Sequence, residues 1–267
     1  MKITLVGCGN MGLIYARAFL KYAVVSADEL LLVEKNETRV EELVKMNLGR
    51  VVTPNNPEIS KSDLLLLAVK PQDFPSLAAV LKHQLKPEIS VISIMAGVTL
   101  SFLEEQLQHV TLIRAMPNSP AGLGMGVTAM IAHPSVSSAH IRKAEQVLST
   151  TGRTVFLDQE SQMDAVTALS DSGPAYFFYL VKHMIEAGKA MGLDDSISAM
   201  LVKQTMLGAF HLINQADESL DNLIKAVASK GGTTEAAFKV FDDRALGQSL
   251  QEAIFAAEKR AGELSKS

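Results

Sequence analysis

The sequence predicts an α/β protein in which a parallel-sheet domain over residues 1–158 precedes an all-helical domain over residues 159–267. Three observations support this prediction. The first half alternates short apolar runs with amphipathic stretches, which is the βαβ rhythm of a parallel sheet covered by helices on both faces. The second half has helical periodicity without any strand rhythm. Finally, 48% of the 267 residues are hydrophobic, so the chain can bury a substantial core.

Composition narrows the range of functions. The chain has 25 Lys and Arg against 29 Asp and Glu, so it lacks the basic balance of a nucleic-acid-binding protein. Its longest apolar runs are far shorter than the roughly 18 residues that a membrane span needs. The single Cys8 cannot form an internal disulfide, and the six histidines show no metal-ligand spacing. We therefore expect a cytoplasmic protein with no metal, no nucleic-acid partner and no membrane contact.

The strands of the first domain are predicted from leucine-rich or β-branched runs bounded by polar or glycine-containing turns. In chain order they cover residues 2–6, 30–34, 63–69, 90–94, 111–115, 126–132 and 153–157. Between them, apolar residues recur every three or four positions, which is the spacing of one helix face. This periodicity predicts helices over residues 11–22, 37–46, 74–82, 99–108 and 137–150.

The second half is predicted to be helical throughout, over residues 161–169, 175–191, 194–214, 220–229, 233–241 and 244–264. Breaks fall at Gly173-Pro174, at Gly192 and at Gly231-Gly232. The helix over residues 194–214 has two apolar stripes, Val202, Met206, Ala209 and Ile213 on one and Ile197, Leu201, Leu207 and Phe210 on the other. A helix that is apolar on two sides must be buried on both. One small bundle cannot provide that cover, so we expect an obligate dimerisation domain.

The strongest local signal directly follows the first predicted strand, where Gly7, Gly9 and Gly12 form the pattern G-x-G-x-x-G and open a helix. In this context Gly7 makes the tight turn, Gly9 lets the backbone approach a pyrophosphate and Gly12 lets the helix pack close to the strand. The free N–H groups at the start of this helix, around Asn10 and Met11, would hold the phosphates. The pattern predicts a Rossmann-type domain that binds NADP or NAD.

The end of the second predicted strand should face the adenosine ribose. Glu34 stands there, and an acid at this point usually accepts hydrogen bonds from the ribose hydroxyls and disfavours a 2′-phosphate. Lys35 and Arg39 lie beside it and could pair with that phosphate. A solvated loop of mixed charge would explain the same residues. The sequence therefore leaves the preference between NADP and NAD open.

Two further turns should face the nicotinamide, because ligands bind at the carboxyl ends of the strands in such sheets. Their residues are Ala68, Val69, Lys70 and Pro71 in one turn and Ala96 and Gly97 in the next. Residues 114–120 form a proline-stiffened loop that would lie on the substrate side. Residues 229–235 open a later helix with two glycines and two threonines, which is a second place for an anion. For that spacing alone, a Gly-Gly turn with a threonine N-cap is the commoner explanation.

Taken together, these segments resemble one family, pyrroline-5-carboxylate reductase, over essentially the whole chain. The resemblance depends on the glycine motif and on residues 68–72, 96–97, 116–120, 168–176 and 227–234, the last being the family's most specific motif. It implies a reductase that transfers a hydride from NADPH or NADH to the cyclic imine 1-pyrroline-5-carboxylate and forms L-proline, the last step of proline biosynthesis. It also implies a homodimer through the C-terminal helices, commonly assembled into a decamer.

The resemblance also assigns roles to residues. The substrate carboxylate would be held by Ser229, Gly231, Gly232, Thr233 and Thr234. Thr234 would lie beside the imine nitrogen as the catalytic residue, and its hydroxyl could supply or orient the proton, since a protonated imine is already a strong electrophile. Asn118 would lie on the substrate side. Asn56 and the turn at residues 68–71 would contact the cofactor.

Three positions depart from the family pattern. Asp171 stands where the family usually has Gly, and Lys230 stands where it usually has Pro. Asp217 falls where an acidic residue, often Glu, lies near the substrate, and its side chain has a shorter reach. None of the three removes a backbone donor, so the fold and the reaction are expected to persist while the substrate affinity changes.

Two other functions are compatible with parts of the sequence. A β-hydroxyacid dehydrogenase would share the layout, but by resemblance it needs a Lys followed four residues later by Asn, whereas here Lys182 is followed by Glu186. A non-catalytic dinucleotide sensor that dimerises through its helices would also fit the first half of the chain. Only the intact segment at residues 231–234 argues against the sensor.

Overall fold

The computed structural model of the chain describes residues 1–265, with one eight-stranded sheet followed by helices. The strands are β1 (Ile3–Val6), β2 (Leu30–Val33), β3 (Arg50–Val52), β4 (Leu64–Leu67), β5 (Ser90–Ser93), β6 (Leu112–Met116), β7 (Gly126–Ala132) and β8 (Gly152–Phe156). Helices on the sheet are α1 (Asn10–Lys21), α2 (Glu37–Met46), α3 (Phe74–Leu81), α4 (Leu100–Leu107) and α5 (Ser138–Leu148). This alternation confirms the predicted α/β fold class.

The later helices are α6 (Gln162–Val166), α7 (Gly173–Ala190), α8 (Asp195–Gln215), α9 (Leu220–Val227), α10 (Thr233–Asp243) and α11 (Leu246–Leu264). A π-helical turn over Thr167–Asp171 joins α6 to α7. The predicted break at Gly173-Pro174 is instead the first turn of α7, a position where proline is tolerated because its N–H would have no helical partner.

The strand order is β3-β2-β1-β4-β5-β6-β7-β8, and every neighbouring pair is parallel except β6 and β7. The expectation of a wholly parallel sheet was therefore too simple. The connection between β6 and β7 contains no crossover helix, only a short 3-10 turn over Ser119–Leu123, and strands joined in this way return antiparallel. The α5 crossover restores the parallel direction for β8.

The sheet separates two hydrophobic layers. All four residues are buried in each of β1, β2, β4 and β5, as in strands covered on both faces. In β4, Leu64 and Leu66 belong to one core cluster and Leu65 and Leu67 to the other, which follows from the two-residue alternation of a strand. Burial on both sides explains why these strands are continuous apolar runs in the sequence.

Strand β3 was not predicted. It has three residues at the edge of the sheet, where Arg50 is exposed and the two valines are half-buried. A segment this short, with no fully buried residue, gives too little apolar pattern to be identified.

The strand order reverses at β1, which is flanked by β2 on one side and by β4 on the other. Ligands of such sheets bind at this point.

Contacts divide the chain into two compact units. The first comprises Met1–Ser172 together with the chain from Ala257 onwards, and the second is Gly173–Ala256. The predicted domain boundary after residue 158 stays a prediction. In the second unit α7 packs on α8, with Gly188 so close to Ser198 that a Cβ there would be 2.7 Å from the Ser198 hydroxyl oxygen. Within residues 1–265, no helix has both the length and the apolarity to cross a membrane.

Candidate active site

The glycine loop between β1 and α1 is held by packing at two positions and open at the third. Gly7 has φ +95°, and a Cβ there would be 2.7 Å from the Ala68 backbone. A Cβ on Gly12 would be 2.2 Å from the Gly7 carbonyl oxygen. No atom lies within 4 Å of a Cβ built on Gly9, so the fold itself leaves space there. This is the pattern expected of a loop whose middle glycine admits a phosphate.

Helix α1 begins at Asn10, with Gly9 as its N-cap. Gly9 has no side chain to satisfy the first N–H groups, and no other side chain caps them in the described residues. Asn10 is exposed and Met11 half-buried at this opening. Free N–H groups and the positive end of the helix dipole together favour an anion. The phosphate role predicted for Asn10 and Met11 thus remains a prediction with a suitable helix start.

A cavity of about 430 Å³ lies above the glycine loop, at the carboxyl ends of β1, β2 and β4. Seven residues predicted to bind the cofactor line it together, namely Gly7, Gly9, Glu34, Lys35, Ala68, Val69 and Lys70. Its volume is typical of a small-molecule site. Pro71, Ala96 and Gly97 lie outside its lining. The cavity brings the predicted phosphate and ribose ends of the site into one place.

The neighbouring residues Asn55 and Asn56 have different surroundings in the structure. Asn55 lines the cavity, whereas the side chain of Asn56 accepts a hydrogen bond of 2.9 Å from the Glu58 backbone N–H and caps the turn over Pro57–Lys61. Sequence reasoning missed Asn55 because the strand that precedes it, β3, was also missed. The cofactor contact predicted for Asn56 stays a prediction, and its side chain would have to leave this cap.

Cys8 is buried between the two glycines, with its Sγ 3.9 Å from the Val33 carbonyl oxygen. Burial, reinforced by the nearby Glu34 carboxylate, raises the pKa of the Cys8 thiol to about 12. The thiol is therefore neutral at physiological pH and acts as a small apolar side chain. Cys8 packs the loop and supplies no nucleophile.

The turn after β5 is supported by the end of α11. Gly97 has φ +73°, and a Cβ there would be 3.1 Å from the carbonyl oxygen of Leu264. Ser265 donates a hydrogen bond to Asp164 at 3.3 Å, which anchors the same end of the helix on α6. Both contacts lie within the first unit. The last turn of α11 thus shapes the Ala96-Gly97 turn that was predicted to contact the cofactor.

An ion pair between a buried guanidinium and a half-buried carboxylate joins β6 to the residues after β8. The Arg114 side chain is 3% exposed, and its Nη1 lies 2.8 Å from Glu160 Oε1. The same carboxylate oxygen accepts a hydrogen bond of 2.8 Å from the Leu100 backbone N–H at the start of α4. Glu160 was missed by sequence reasoning, because nothing local connects it with a residue 46 positions away. Glu160 therefore ties β6 to the start of α4.

Asn118 has both ends of its side-chain amide engaged. Its Oδ1 accepts from the Val127 backbone N–H at 2.9 Å, and its Nδ2 donates to the Ser170 carbonyl at 3.1 Å. It therefore ties the loop after β6 to the π-helical turn that contains Asp171. Burial raises the pKa of the Asp171 carboxyl. A substrate contact by Asn118 remains a prediction.

The second predicted anion site lies in the second unit, at the start of α10. Gly231 has φ +74°, and its N–H donates to the Glu235 carboxylate at 2.7 Å. Gly232 is the N-cap, and a Cβ there would be 2.6 Å from the Ser229 hydroxyl oxygen. Thr233 begins the helix and Thr234 is half-buried in its first turn. In this structure the Glu235 carboxylate takes the Gly231 N–H, so a substrate carboxylate at this turn would have to displace it.

Three further residues singled out in the sequence are exposed in the second unit. Asp217 is exposed in the connection between α8 and α9, as is Lys230 before the glycines. Lys182, on which the β-hydroxyacid dehydrogenase alternative depended, is exposed and lies 3.8 Å from Glu186. Within residues 1–265, no group of three or more His, Cys, Asp or Glu side chains is arranged to hold a metal ion.

Comparison with known proteins matches both halves of the chain. Residues 160–264 match the family model described as pyrroline-5-carboxylate reductase dimerisation, and residues 2–97 match NADP oxidoreductase coenzyme F420-dependent. The pyrroline-5-carboxylate reductase of Pseudomonas aeruginosa is 35% identical over 99% of this chain and 97% of its own length.

Solved structures give the same result. A pyrroline-5-carboxylate reductase from Coxiella burnetii is 30% identical, with a TM-score of 0.90 over 100% of this chain and 99% of its own. A Plasmodium falciparum pyrroline carboxylate reductase with NADP bound has a TM-score of 0.87 over 99% of this chain and 98% of its own. At 24% identity, the latter supports the fold alone.

Proposed function

The chain belongs to the pyrroline-5-carboxylate reductase family, and we propose that it reduces 1-pyrroline-5-carboxylate to L-proline with NAD(P)H, the last step of proline biosynthesis. The observation that carries the proposal is the pairing of two anion-accepting helix starts in one chain. One is the open Gly9 position below a 430 Å³ cavity, and the other is the Gly231-Gly232 turn. A dinucleotide and an acidic substrate are the ligands that this pairing suits.

The first unit fits the dinucleotide. A Cβ at Gly9 would extend into open space, and the α1 N–H groups behind it have no side-chain cap, so this loop can hold a pyrophosphate. Glu34 and Lys35 line the same cavity at its ribose end, and Ala68 to Lys70 line it beside the loop. When bound here, the reduced nicotinamide supplies the hydride for the reaction.

The second unit supplies the substrate anchor. The N–H groups at the start of α10 and its dipole would hold the substrate carboxylate, with the Ser229 hydroxyl beside them. The Thr234 hydroxyl would hold a proton at the imine nitrogen. Because a protonated imine is already electrophilic, a hydrogen-bonding hydroxyl is sufficient here and no strong acid is required. Addition of one hydride to carbon and one proton to nitrogen completes the reduction.

We also propose that the working form is a homodimer through the helical region, in line with the dimerisation family model over residues 160–264. Helices α7 and α8 expose large apolar side chains that favour another protein surface, among them Phe178, Tyr179, Met200, Phe210 and Leu212. Assembly of dimers into a decamer and location in the cytoplasm remain predictions.

The direct test mixes the protein, 1-pyrroline-5-carboxylate and each reduced cofactor, and follows loss of the cofactor absorbance. Chiral chromatography should then identify L-proline as the product. The matched control is Gly9→Val, since Gly9 has φ −73° and open space around it, so the variant should fold normally while its side chain blocks the pyrophosphate. We expect turnover by the wild type and none by the variant. Folded, dimeric protein that binds a reduced cofactor without turnover would contradict the proposal.

A further inference from the structure

The loop after β2 contains an anion site that is filled by its own side chain. Glu34 Oε1 accepts hydrogen bonds from the Lys35 backbone N–H at 2.8 Å and from the Asn36 backbone N–H at 3.0 Å. Two consecutive N–H groups that converge on one point form a nest for an anion. In this chain, the carboxylate of Glu34 takes the donors that a phosphate at the ribose end of the cavity would need.

The nearby cations are engaged as well. Lys35 Nζ lies 3.7 Å from Asp73 Oδ1, and both residues line the cavity with Glu34. Arg39 pairs with Glu42, and its other terminal nitrogen donates to the Cys8 carbonyl oxygen at 2.8 Å. Within residues 1–265, no ion pair involves Glu34 itself. Asp73 was not singled out in the sequence, because it follows β4 and lies 38 positions from Lys35.

We infer that this ribose site selects against a 2′-phosphate, so that the chain binds NADH more tightly than NADPH, with Glu34 and Asp73 as the specificity-determining residues. A free 2′-hydroxyl can donate to the second oxygen of Glu34, whereas a 2′-phosphate would meet a like charge and occupied N–H donors. Asp73 contributes by pairing with Lys35, a cation that lines the cavity next to Glu34 in the chain. The inference rests on the proposed function only in assigning a dinucleotide to this cavity.

Glu34 and Asp73 should differ in how much they change the ratio of NADH to NADPH affinity. Glu34 acts through its charge and through the donors it occupies, so its removal should have the larger effect. The Lys35–Asp73 pair is well exposed, at 69% and 49% for the two side chains, and exposed pairs interact weakly. We expect a change of about tenfold or more in the NADH to NADPH affinity ratio for Glu34 and about two- to threefold for Asp73.

The experiment titrates the full-length protein into NADH and NADPH and follows the fluorescence of the reduced nicotinamide. Glu34→Gln keeps a side-chain oxygen for the two N–H groups but removes the charge, whereas Glu34→Ser removes the charge and frees the N–H groups. Asp73→Asn releases Lys35. Glu37→Gln is the matched control, because Glu37 is exposed in the first turn of α2 and lies outside the cavity lining.

We expect the wild type to bind NADH about tenfold more tightly than NADPH, and we expect raised salt to narrow this ratio. Glu34→Gln should lower the preference for NADH, and Glu34→Ser should reverse it. Asp73→Asn should increase the affinity for NADPH alone, and Glu37→Gln should leave the affinity ratio unchanged. Equal or tighter NADPH binding by the wild type, or an unchanged ratio in Glu34→Ser, would overturn the inference.

Binding requires no imine, so this experiment is separate from the test of the proposed reaction. Tight, selective NADH binding without imine reduction would remove the proposed function and leave the ribose inference standing. Imine reduction with NADPH as the better cofactor would support the proposed function and overturn the ribose inference. Absence of binding by both cofactors would overturn both.

Discussion

The two units of the molecule use apolar residues in opposite ways. In the first, the four residues of β1, β2, β4 and β5 are buried without exception. In the second, the 21-residue helix α8 has one buried residue, Ser198, while Phe210 is 51% exposed and Leu212 is 60% exposed. Apolar residues therefore form a closed core in one unit and an open surface in the other.

The difference shows that the hydrophobicity of a segment does not reveal whether its side chains are buried within the same chain or against a partner chain. The sheet unit is covered on both faces by its own helices, so its stability is a property of one chain. Soluble monomers rarely expose contiguous apolar patches larger than a few hundred Å², and large exposed ones usually mark interfaces. The helical unit completes its core only with a second surface, which agrees with the dimerisation model that it matches.

The most disruptive change should be Met206→Lys on the exposed face of α8, where Met206 is 40% exposed. A dimer would bury the new ammonium group, and an unpaired buried charge costs several kcal/mol, so assembly and activity should fall about a hundredfold or more. Val44→Lys is the control, since Val44 is 60% exposed on α2 of the self-contained unit. Light scattering that finds a fully active 28.7 kDa monomer would refute the comparison.

A pair of leucine truncations tests the contrast between the units more finely. Leu66→Ala opens a hole at a fully buried position of β4 and should lower the free energy of unfolding by about 2–5 kcal/mol at any protein concentration. Leu212→Ala should destabilise through the assembly alone, so its effect should depend on protein concentration. Denaturant titrations at two concentrations decide this. An effect of Leu212→Ala that is the same at both would show that one chain already buries it.

Thr234→Ala asks whether the helical unit contributes chemistry as well as surface. Loss of one hydrogen bond to a group that develops charge is worth roughly 1.5–3 kcal/mol, so kcat should fall by about one to two orders of magnitude. The affinity for the reduced cofactor should not change, and Thr234→Ser should retain most of the activity. Steady-state kinetics with unchanged kcat in Thr234→Ala would mean that this residue only starts α10.

The smallest effect should come from His109, which supports the sheet unit. The residue is 6% exposed and its Nε2 lies 2.8 Å from the Ile89 carbonyl oxygen. Burial lowers the pKa of His109, so between that value and the unfolded value of about 6.5 the unfolded chain binds more protons. Stability should therefore fall as pH drops through about 6.5. The melting temperature should be measured at pH 8 and at pH 5.5. The decrease between these two pH values should be smaller in His109→Gln than in the wild type, and equal decreases would contradict this prediction.

Prediction from sequence succeeded where one segment contains its own signal. The leucine run of β4 and the Gly7 to Gly12 spacing are local patterns, and both appear in the structure as expected. The missed features depend on partners that are distant in the chain. The Glu160 carboxylate against Arg114 and the Asp73 carboxylate against Lys35 each join residues far apart in the chain, and the direction of β7 depends on its pairing with β6.

The buried thiol in the glycine loop has a consequence for reactivity. Burial raises the pKa of Cys8 to about 12, so at pH 7 it is almost entirely a neutral thiol, whereas alkylating reagents and peroxides attack the thiolate. The Cys8 thiol is thus unreactive, although it lies where a covalent modification would disturb the glycine loop. Preparations should tolerate iodoacetamide and storage in air without added reductant, and oxidative stress should not switch this loop off.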